Sequence, residues 1–460
     1  MPGQRVRAPG SFDDVRADLD LPGPHPPEVV AEAEAAEPDL AGRADLLDLP
    51  FATIDPPGSM DLDQAFHLEP GRFRYAIADV AAFVRPGGAI DAEAWRRGVT
   101  YYLPDGRIPL HPPVLGEGKA SLLPDVDRPA VVWTIDLDGD GEPTTVRVER
   151  AVVRSRRRLS YTEAQDLVDI EPMLGLLRDL GRLRLARERD RGGVSLDLPS
   201  QEVVERDGRW ALRYDDRLPV EDWNEQLSLL TGMCAGRLMV EAGVGFLRTL
   251  PPAADGVLTD LRRQARCLGV DWPDGTSYAD AVRGVDRSDP RGAAFLQQAA
   301  RGLRGAGYAA FGPGIGALPD DPRHSAVASV YAHGTSPLRR LADRHANEVV
   351  LAACAGVAPP AWAVEALPRL VEVMNDANRR SAAVERAVVD AVEARVLSRC
   401  VGTTLDAVLL ATGDRPVAML DDPAVIAPVT GAPGGAAGDR VRLVVEAADP
   451  DTRQVVLRAA

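Results

Sequence analysis

The 460-residue sequence contains few of the features that stabilise small secreted domains or anchor a chain in a membrane. Its four cysteines, Cys234, Cys267, Cys354 and Cys400, lie far apart and form no CxxC pair, which argues against a zinc knuckle or a disulfide framework. No apolar run approaches about 18 residues, so the sequence predicts no membrane span. The N-terminal stretch lacks the apolar core of a signal peptide, and we therefore expect a cytoplasmic protein.

Positive charge is also scarce. The formal net charge is −16, and Lys119 is the only lysine among 53 basic residues. Taken alone, this balance argues against nucleic-acid binding, because phosphate binding needs a positive surface. It still permits a local basic channel that takes in a single strand. A GC-rich genome would account for most of the preference for arginine.

Changes in pattern divide the chain into segments. Residues 1–45 are Pro-rich and then Ala/Glu-rich, as expected for a partly helical, acidic lead-in. Residues 51–149 contain alternating apolar runs that predict strands, including a hairpin around the DGDG turn. From Tyr161 onward amphipathic helices dominate, the first of them capped by Ser160. After Cys400, short strands with Gly, Asp and Pro turns predict a small barrel of the OB type.

The segment TIDPPGSMDLDQAF places three carboxylates in one loop. Neighbouring carboxylates repel and are costly to desolvate, so a positive partner is expected, and oxygen ligands of this kind suit Mg²⁺ or Mn²⁺. Asp61 and Asp63 point the same way in an extended segment, and the PPG bend after Asp55 could fold that residue beside them. The alternative is a solvated acidic turn. Burial is favoured by the apolar residues around the carboxylates, which are Ile54, Met60, Leu62, Ala65 and Phe66.

This loop and three later motifs resemble the ribonuclease II family, whose RNB catalytic domain carries four aspartates in a TID…D.DDA pattern. In chain order, YYLPDGRIPLHPPVLGEGKASLLPD resembles the family's YLP…IPMLP segment, GTSPLRRLADRHAN its TSPIRRY.DL.NH motif, and DANRRSAAVERAVVDAVEARVL its R.A..ER helix. The resemblance implies an α+β fold. An RNB catalytic domain with a mixed β-sheet surrounded by helices (46–397) would follow the lead-in (1–45) and precede a reduced S1-like OB domain, a small C-terminal β-barrel (398–460).

The resemblance implies processive 3′→5′ hydrolysis of single-stranded RNA to nucleoside 5′-monophosphates, with catalysis by two divalent ions, Mg²⁺ or Mn²⁺. We expect single-stranded RNA as the partner, no membrane, no small-molecule cofactor and a monomer. By motif position, Asp55, Asp61 and Asp63 match metal-ligand and catalytic aspartates. Gln64 stands where the family usually has a fourth aspartate, so it would offer a metal one neutral oxygen in place of a charge. We expect weaker ion affinity or a demand for Mn²⁺, and a silenced site is the alternative.

Two adjacent arginines match the family's basic motif. Arg339 matches the catalytic arginine, whose planar fork can bridge a phosphoryl group and its developing charge. Arg340 matches the neighbouring basic contact to RNA. The alternative for both is the basic start of a helix.

Three further residues match RNA contacts of the family. Tyr102 matches an aromatic that stacks on RNA near its 3′ end, and the alternative is core packing. Glu225 matches a glutamate that recognises a 2′-hydroxyl, and the alternative is a surface helix glutamate. Glu385 matches a helix glutamate near the terminal nucleotide, and the alternative is an ion pair with Arg379 or Arg380.

The sequence departs from the family in two ways. The lead-in is too short for the tandem cold-shock domains that such enzymes commonly carry, and residues 363–460 contain no Phe, Tyr or Trp. Residues 398–460 also hold six arginines against eight acidic residues, so they lack both a stacking platform and a positive face. We expect a weak grip on long strands. Two other functions stay open: an RNB-like RNA-binding protein with little or no catalysis, because of Gln64, and a phosphoesterase for short oligonucleotides.

Overall fold

The computed structural model describes residues 6–7, 12–196, 201–205, 209–214, 217–286, 289–413 and 415–460. Within these ranges, two five-stranded sheets close into barrels, and helices pack against both. The strands are β1 (Val6–Arg7), β2 (Ala44–Ile54), β3 (Gln64–Glu69), β4 (Arg72–Ala78), β5 (Tyr101–Leu103), β6 (Gly106–Ile108), β7 (Asp127–Leu137), β8 (Pro143–Leu159), β9 (Gln201–Glu205), β10 (Arg209–Tyr214), β11 (Gly245–Thr249), β12 (Gly307–Phe311), β13 (Arg323–His324), β14 (Ser329–Val330), β15 (Thr404–Ala411), β16 (Val417–Leu420), β17 (Ile426–Thr430), β18 (Arg440–Asp449) and β19 (Gln454–Ala459). The helices are α1 (Asp13–Asp18), α2 (Pro27–Ala35), α3 (Ala89–Arg97), α4 (Tyr161–Leu167), α5 (Pro172–Asp190), α6 (Pro219–Ala242), α7 (Asp255–Leu268), α8 (Tyr278–Arg283), α9 (Pro290–Ala299), α10 (Leu341–Ala355) and α11 (Ala361–Leu397).

The first barrel consists of β2, β3, β4, β7 and β8, and it carries the acidic loop. Its neighbouring strands pair antiparallel except β2 and β8, which run parallel and close the barrel. The predicted mixed sheet surrounded by helices is therefore confirmed. Along β4, Phe73, Tyr75 and Ile77 enter one apolar cluster while Ala76 and Ala78 enter another. Burial on both faces explains why this strand ends in a continuous apolar run.

The helices connect the two barrels. With 37 residues, α11 is about 55 Å long; it packs on β5 and α10 and reaches β18 and β19 of the second barrel. The predicted cap of α4 is confirmed, because Ser160 Oγ accepts a hydrogen bond from the Glu163 amide at 3.2 Å. The helices α3, α7 and α8 are not predicted from the sequence pattern. No helix in the described ranges is long and apolar enough to cross a membrane.

The second barrel contains β15 to β19 in the order β15-β16-β17-β19-β18, and it confirms the predicted C-terminal OB-type barrel. Its core includes Ala394 and Leu397 from the end of α11. On another side, Leu410 packs in a cluster with Leu268 of α7 and Phe295 of α9. Apolar contacts therefore dock this barrel on helices that belong to the preceding part of the chain.

The lead-in packs against the rest of the molecule. Phe12 and Val15 have no exposed surface and belong to the largest core cluster. Arg16 of α1 forms an ion pair with Asp105 at 2.8 Å. From the body of the molecule, Lys119 Nζ donates to the carbonyl oxygens of Glu34 and Ala36 at the end of α2, at 2.7 and 2.8 Å.

Candidate active site

Residues 55–63 connect β2 to β3 and place the three aspartates at one end of the first barrel. Ser121 holds the backbone of this loop with two hydrogen bonds. The Leu62 amide donates to Ser121 Oγ at 2.9 Å, and Ser121 Oγ donates to Met60 O at 2.6 Å. Leu62 has no exposed surface. Among the apolar residues expected to bury the loop, Met60 is the exception, with 36% of its surface exposed. The loop is therefore exposed at residues 56–58 but held in place and buried at Leu62 and Asp63, so the carboxylate end is not a solvated turn.

Asp63 and Arg339, which are 276 positions apart in the sequence, form the central contact of the site. Asp63 Oδ2 accepts from Arg339 Nε at 3.0 Å, and Asp63 Oδ1 accepts from the Leu338 amide at 2.7 Å. Arg339 Nη2 also donates to Ser336 Oγ at 3.0 Å. Asp63 is 3% exposed, whereas 48% of the Arg339 side chain is exposed. A buried carboxylate thus orients a guanidinium that remains half open to solvent.

Asp61 is held by the hairpin that follows α3. Arg107 Nη1 lies 2.5 Å from Asp61 Oδ1, and Tyr102 OH donates to Asp61 Oδ2 at 3.3 Å. Tyr102 and Arg107 are opposite each other in the β5–β6 pair. The Tyr102 ring is 51% exposed, while its neighbour Tyr101 is 1% exposed. The structure therefore makes Tyr101 the core tyrosine and leaves Tyr102 with a ring face beside the aspartates.

Nearby positive charge does not fully compensate the burial of Asp55 and Asp63. Burial raises the pKa of Asp63 to about 7, although Arg339 lowers it. Burial also raises the pKa of Asp55 to about 6, again against the effect of Arg339. Repulsion from Asp61 adds to both upward shifts. Asp55 Oδ2 is buried and has no hydrogen-bond partner in the described part of the chain.

This donor set fits a hard divalent cation. Asp55, Asp61 and Asp63 supply carboxylate oxygens, one of them buried without a partner in the described ranges. The raised pKa values of Asp55 and Asp63 indicate that added positive charge would stabilise these two carboxylates. In the residues that the structure describes, no three His, Cys, Asp or Glu side chains are already arranged around a metal position. Arg107 and Arg339 pair with Asp61 and Asp63 in this arrangement. Both arginines would have to share these oxygens with the cation.

Gln64 begins β3 and turns its amide toward the arginine-bearing segment. Its Nε2 donates to Thr335 O at 2.7 Å and to Ser336 Oγ at 3.1 Å. Its Oε1 accepts a hydrogen bond from Tyr75 OH. Both ends of the amide are thus engaged, and Oε1 would reach a metal only by sharing or losing the Tyr75 hydrogen bond. Gln64 as a metal ligand stays a prediction.

Arg340 is placed differently from Arg339. Its Nε and Nη2 donate to the two carboxylate oxygens of Asp343 at 2.6 and 2.8 Å. Asp343 has no exposed surface, and its Oδ2 also accepts from the Ser336 amide at 2.7 Å. Arg340 thereby stabilises the turn that presents Arg339 at the start of α10. Because this ion pair engages its fork, the geometry supports a positioning role for Arg340, and its contact to RNA stays a prediction.

Glu225 lies on α6 and is exposed. Its Oε2 accepts from Arg217 Nη2 at 2.8 Å. One turn farther along the helix, Ser228 Oγ lies 2.8 Å from Thr335 Oγ1, so this part of α6 reaches the segment that carries Arg339. The position is compatible with a contact to bound RNA, which stays a prediction.

Glu385 is exposed on α11. Arg379 pairs with Asp376, and Arg380 contacts the Tyr101 hydroxyl. Among the described residues, no ion pair joins Glu385 to either arginine. The alternative proposed for this glutamate is therefore not observed, and its contact to RNA stays a prediction.

Sequence reasoning did not single out several residues that organise the site. Arg107, Ser336 and Asp343 lie inside the motifs that were compared with the family, so their position in a motif was the available signal. Tyr75 gave no such signal, because it is one of several apolar or aromatic residues in β4. Its hydroxyl matters only through the hydrogen bond that it donates to Gln64.

Two family models match the chain. Residues 43–355 match the RNB domain, and residues 403–460 match the RNase II-type exonuclease C-terminal S1 domain. Ribonuclease R of Escherichia coli (strain K12) is 32% identical over 338 residues, which are 67% of this chain and 40% of that protein. Exosome complex exonuclease dis3 of Schizosaccharomyces pombe is 28% identical over 370 residues, which are 76% of this chain and 38% of that protein. The chain thus spans about 40% of the length of these relatives.

Solved structures show the same fold. The apo form of Mycoplasma genitalium RNase R matches with a TM-score of 0.86 at 21% identity, over 97% of this chain and 77% of that chain. Yeast Ssd1, a pseudonuclease, matches with a TM-score of 0.71 at 17% identity, over 89% of this chain and 53% of that chain. At such identities the likeness concerns the fold alone. Since a nuclease and a pseudonuclease share it, the side chains of the site must carry the functional argument.

Proposed function

Because the chain belongs to the RNB family of exoribonucleases, we propose that it hydrolyses single-stranded RNA from the 3′ end to nucleoside 5′-monophosphates, with Mg²⁺ or Mn²⁺ as cofactor. One observation carries the proposal: the buried Asp63 carboxylate holds the half-exposed Arg339 beside the exposed ring of Tyr102. A purely structural ion pair would not need a solvent-exposed guanidinium or an adjacent exposed aromatic ring.

The residues at the 3′ end of the RNA have distinct tasks. Tyr102 offers a stacking face, and its hydroxyl is tied to Asp61, so a stacked base would lie next to the acidic loop. Arg339 is fixed by Asp63 and Ser336, and its exposed part would bind the phosphate at which the bond is cleaved. An oriented guanidinium in that place stabilises the charge that develops on the phosphoryl oxygens.

Asp55, Asp61 and Asp63 would hold the divalent cation. When bound, the ion supplies an activated water and stabilises the leaving 3′ oxygen. The protein contributes the rigid loop: the bonds of Ser121 to the loop backbone fix where the carboxylates stand before substrate arrives.

A specific observation favours a second candidate function. Gln64 lacks the charge of the family's fourth aspartate, and its amide is engaged at both ends. A site with one carboxylate fewer could bind RNA and cleave it slowly or not at all. The protein would then be an RNB-like RNA-binding protein.

Incubation with 5′-labelled poly(A) and either Mg²⁺ or Mn²⁺ separates these functions. A descending ladder supports the exoribonuclease, and binding without cleavage supports the second candidate. Cleavage confined to di- to pentanucleotides would indicate a phosphoesterase for short oligonucleotides.

Asp63→Asn tests the site itself. The substitution should abolish turnover while RNA binding persists, because it neutralises the carboxylate with little change in shape. Asp45→Asn, at an exposed aspartate of β2, is the matched control and should leave turnover unchanged. Turnover of Asp63→Asn within about threefold of wild type would remove Asp63 from the mechanism.

A further inference from the structure

A cavity that is separate from the acidic loop lies between α5, α6 and β14. Its volume of about 360 Å³ falls in the range of small-molecule sites, which is about 300–1,000 Å³. Arg184 of α5 and Arg191, directly after α5, both line it. The apolar part of its wall is formed by Pro143, Leu230, Met233, Val240 and Val330.

The two arginines reach the cavity with unused hydrogen-bond donors. Arg184 is 1% exposed; its Nη1 donates to Gly141 O at 2.9 Å and lies 2.9 Å from Glu142 Oε1. Its Nε is buried and has no partner in the described ranges. Arg191 Nε donates to Val327 O at 3.1 Å, but its Nη1 and Nη2 are both buried and without a partner among the same residues. Such donors are costly to bury unless something accepts from them.

The two carboxylates just before Arg191 have other partners. Asp190 Oδ2 lies 3.3 Å from Arg187 Nη1. Glu188 Oε1 accepts from Ser195 Oγ at 2.7 Å, and Glu188 Oε2 accepts from Gln226 Nε2 at 2.8 Å.

Burial and then the neighbouring Arg184 lower the pKa of Arg191, while Glu188 and Glu142 act in the opposite direction. Glu142, Glu241 and Arg237 also line the cavity, so three arginines face two glutamates and its wall has a net charge of one positive.

We propose that this cavity binds a phosphate monoester of nucleotide size, with the phosphate on Arg184 and Arg191 and the organic part against the apolar wall. Planar guanidinium forks match phosphate oxygens, and the orphaned Nε and Nη donors supply them without any rearrangement of existing bonds. Inorganic phosphate would satisfy the donors but leave most of the volume unfilled. Nucleoside 5′-monophosphates belong to the fitting class, and their binding here does not depend on the proposed nuclease activity.

Calorimetric titration of AMP into the wild-type protein and Arg191→Leu tests the proposal. Wild type should bind AMP, and Arg191→Leu should bind it at least about tenfold more weakly, because two charge-assisted donors are lost. Adenosine should show no binding, and inorganic phosphate should bind more weakly than AMP. The candidate active site could also take up AMP, so Arg339→Ala is titrated in parallel and should keep the Arg191-dependent component.

Two exposed arginines complete the design. Arg237→Glu places a negative charge in the wall of the cavity without removing a buried group, and it should weaken AMP binding even if Arg191→Leu does not fold. Arg189→Glu makes the same charge change on the exposed side of α5 and should have no effect. The proposal is overturned if AMP does not bind, if adenosine or inorganic phosphate binds as tightly as AMP, or if AMP binding survives both Arg237→Glu and any folded Arg191→Leu.

Discussion

The hydroxyl of Tyr75 donates a hydrogen bond to the side-chain oxygen of Gln64, at the end of the acidic loop. On the other side, the Thr335 carbonyl accepts from the Gln64 amide nitrogen at 2.7 Å. A donor for the oxygen and an acceptor for the nitrogen together match an amide. A carboxylate in the same place would face the Thr335 carbonyl oxygen with no hydrogen to offer. The neighbours of Gln64 are thus complementary to glutamine and not to aspartate.

Gln64→Asp should lower the Mg²⁺ concentration needed for half-maximal activity, because it adds a charge beside Asp63. It should also reduce the free energy of unfolding by about 1–3 kcal/mol, because the Thr335 carbonyl loses its buried donor. Initial rates over a range of Mg²⁺ concentrations and urea unfolding give the two quantities. Tyr75→Phe is the matched control, since it frees Gln64 Oε1 without changing charge. An unchanged Mg²⁺ requirement in both variants would show that residue 64 is not a ligand.

Arg339→Lys should lower the single-turnover cleavage rate by about two orders of magnitude or more, with little change in RNA affinity, because lysine keeps the charge but loses the fork. Rapid-quench kinetics and filter binding measure the two effects separately. If the affinity falls while the single-turnover rate is maintained, Arg339 only anchors the phosphate.

Arg340→Lys serves as the comparison at the adjacent position. Since Arg340 donates two hydrogen bonds to the buried Asp343, we expect the main effect on stability, a loss of about 1–3 kcal/mol in the free energy of unfolding. Chemical unfolding of both variants checks this. If the Arg340→Lys protein is as stable as wild type but has strongly reduced RNA affinity, the result would support the predicted contact between Arg340 and RNA.

Glu393 should make stability depend on pH near neutrality. This glutamate of α11 is 5% exposed, and its Oε1 accepts from the Ile426 amide at 2.9 Å and from Gln201 Nε2 at 2.6 Å. Burial raises its pKa to about 7. An unfolded chain releases this proton near pH 4.5, so its stabilising contribution is complete below that pH and is lost as the pH rises through 7.

We therefore expect the free energy of unfolding to fall by roughly 2–4 kcal/mol between pH 5 and 8 through this group. Glu393→Gln keeps an acceptor for Ile426 but carries no charge, so it should flatten that part of the profile. Urea unfolding at a series of pH values measures the free energy of unfolding of both proteins. Subtracting the variant's profile from that of wild type isolates the contribution of Glu393, because Asp55 and Asp63 contribute equally to both. Glu372→Gln, at an exposed position of the same helix, should leave the profile unchanged.

The second barrel should contribute little to the grip on RNA. Two of its arginines already have acidic neighbours: Arg440 pairs with Asp421 at 2.6 Å, and Arg458 lies 4.0 Å from Glu446. Replacing both by glutamine should change the salt slope of long-RNA binding by less than about 0.7, the value of one contact on a single strand. Binding measured at several KCl concentrations gives the slope. A fall of several units would show that this barrel holds RNA.

Local patterns predicted the elements better than the contacts between them. The capping box at Ser160 and the alternation in the C-terminal strands depend on neighbours within a few residues, and both appear in the structure. The different roles of Arg339 and Arg340 could not be predicted from the sequence. They depend on the fold, in which Arg339 pairs with Asp63 and Arg340 pairs with Asp343. The orientation of Gln64 likewise depends on Tyr75 and on a segment far away in sequence. The resemblance indicated which residues meet but not how their hydrogen bonds are shared.

The 276 positions between Asp63 and Arg339 also have a consequence for protein synthesis. At about 5–20 residues per second, a ribosome needs on the order of 14–55 s to add the arginine after the aspartate. During that interval the nascent chain can close its first barrel and order the acidic loop, yet it has no guanidinium to pair with the buried carboxylate. The chain therefore cannot assemble this contact until Arg339 has been added, well after the acidic loop has been synthesised.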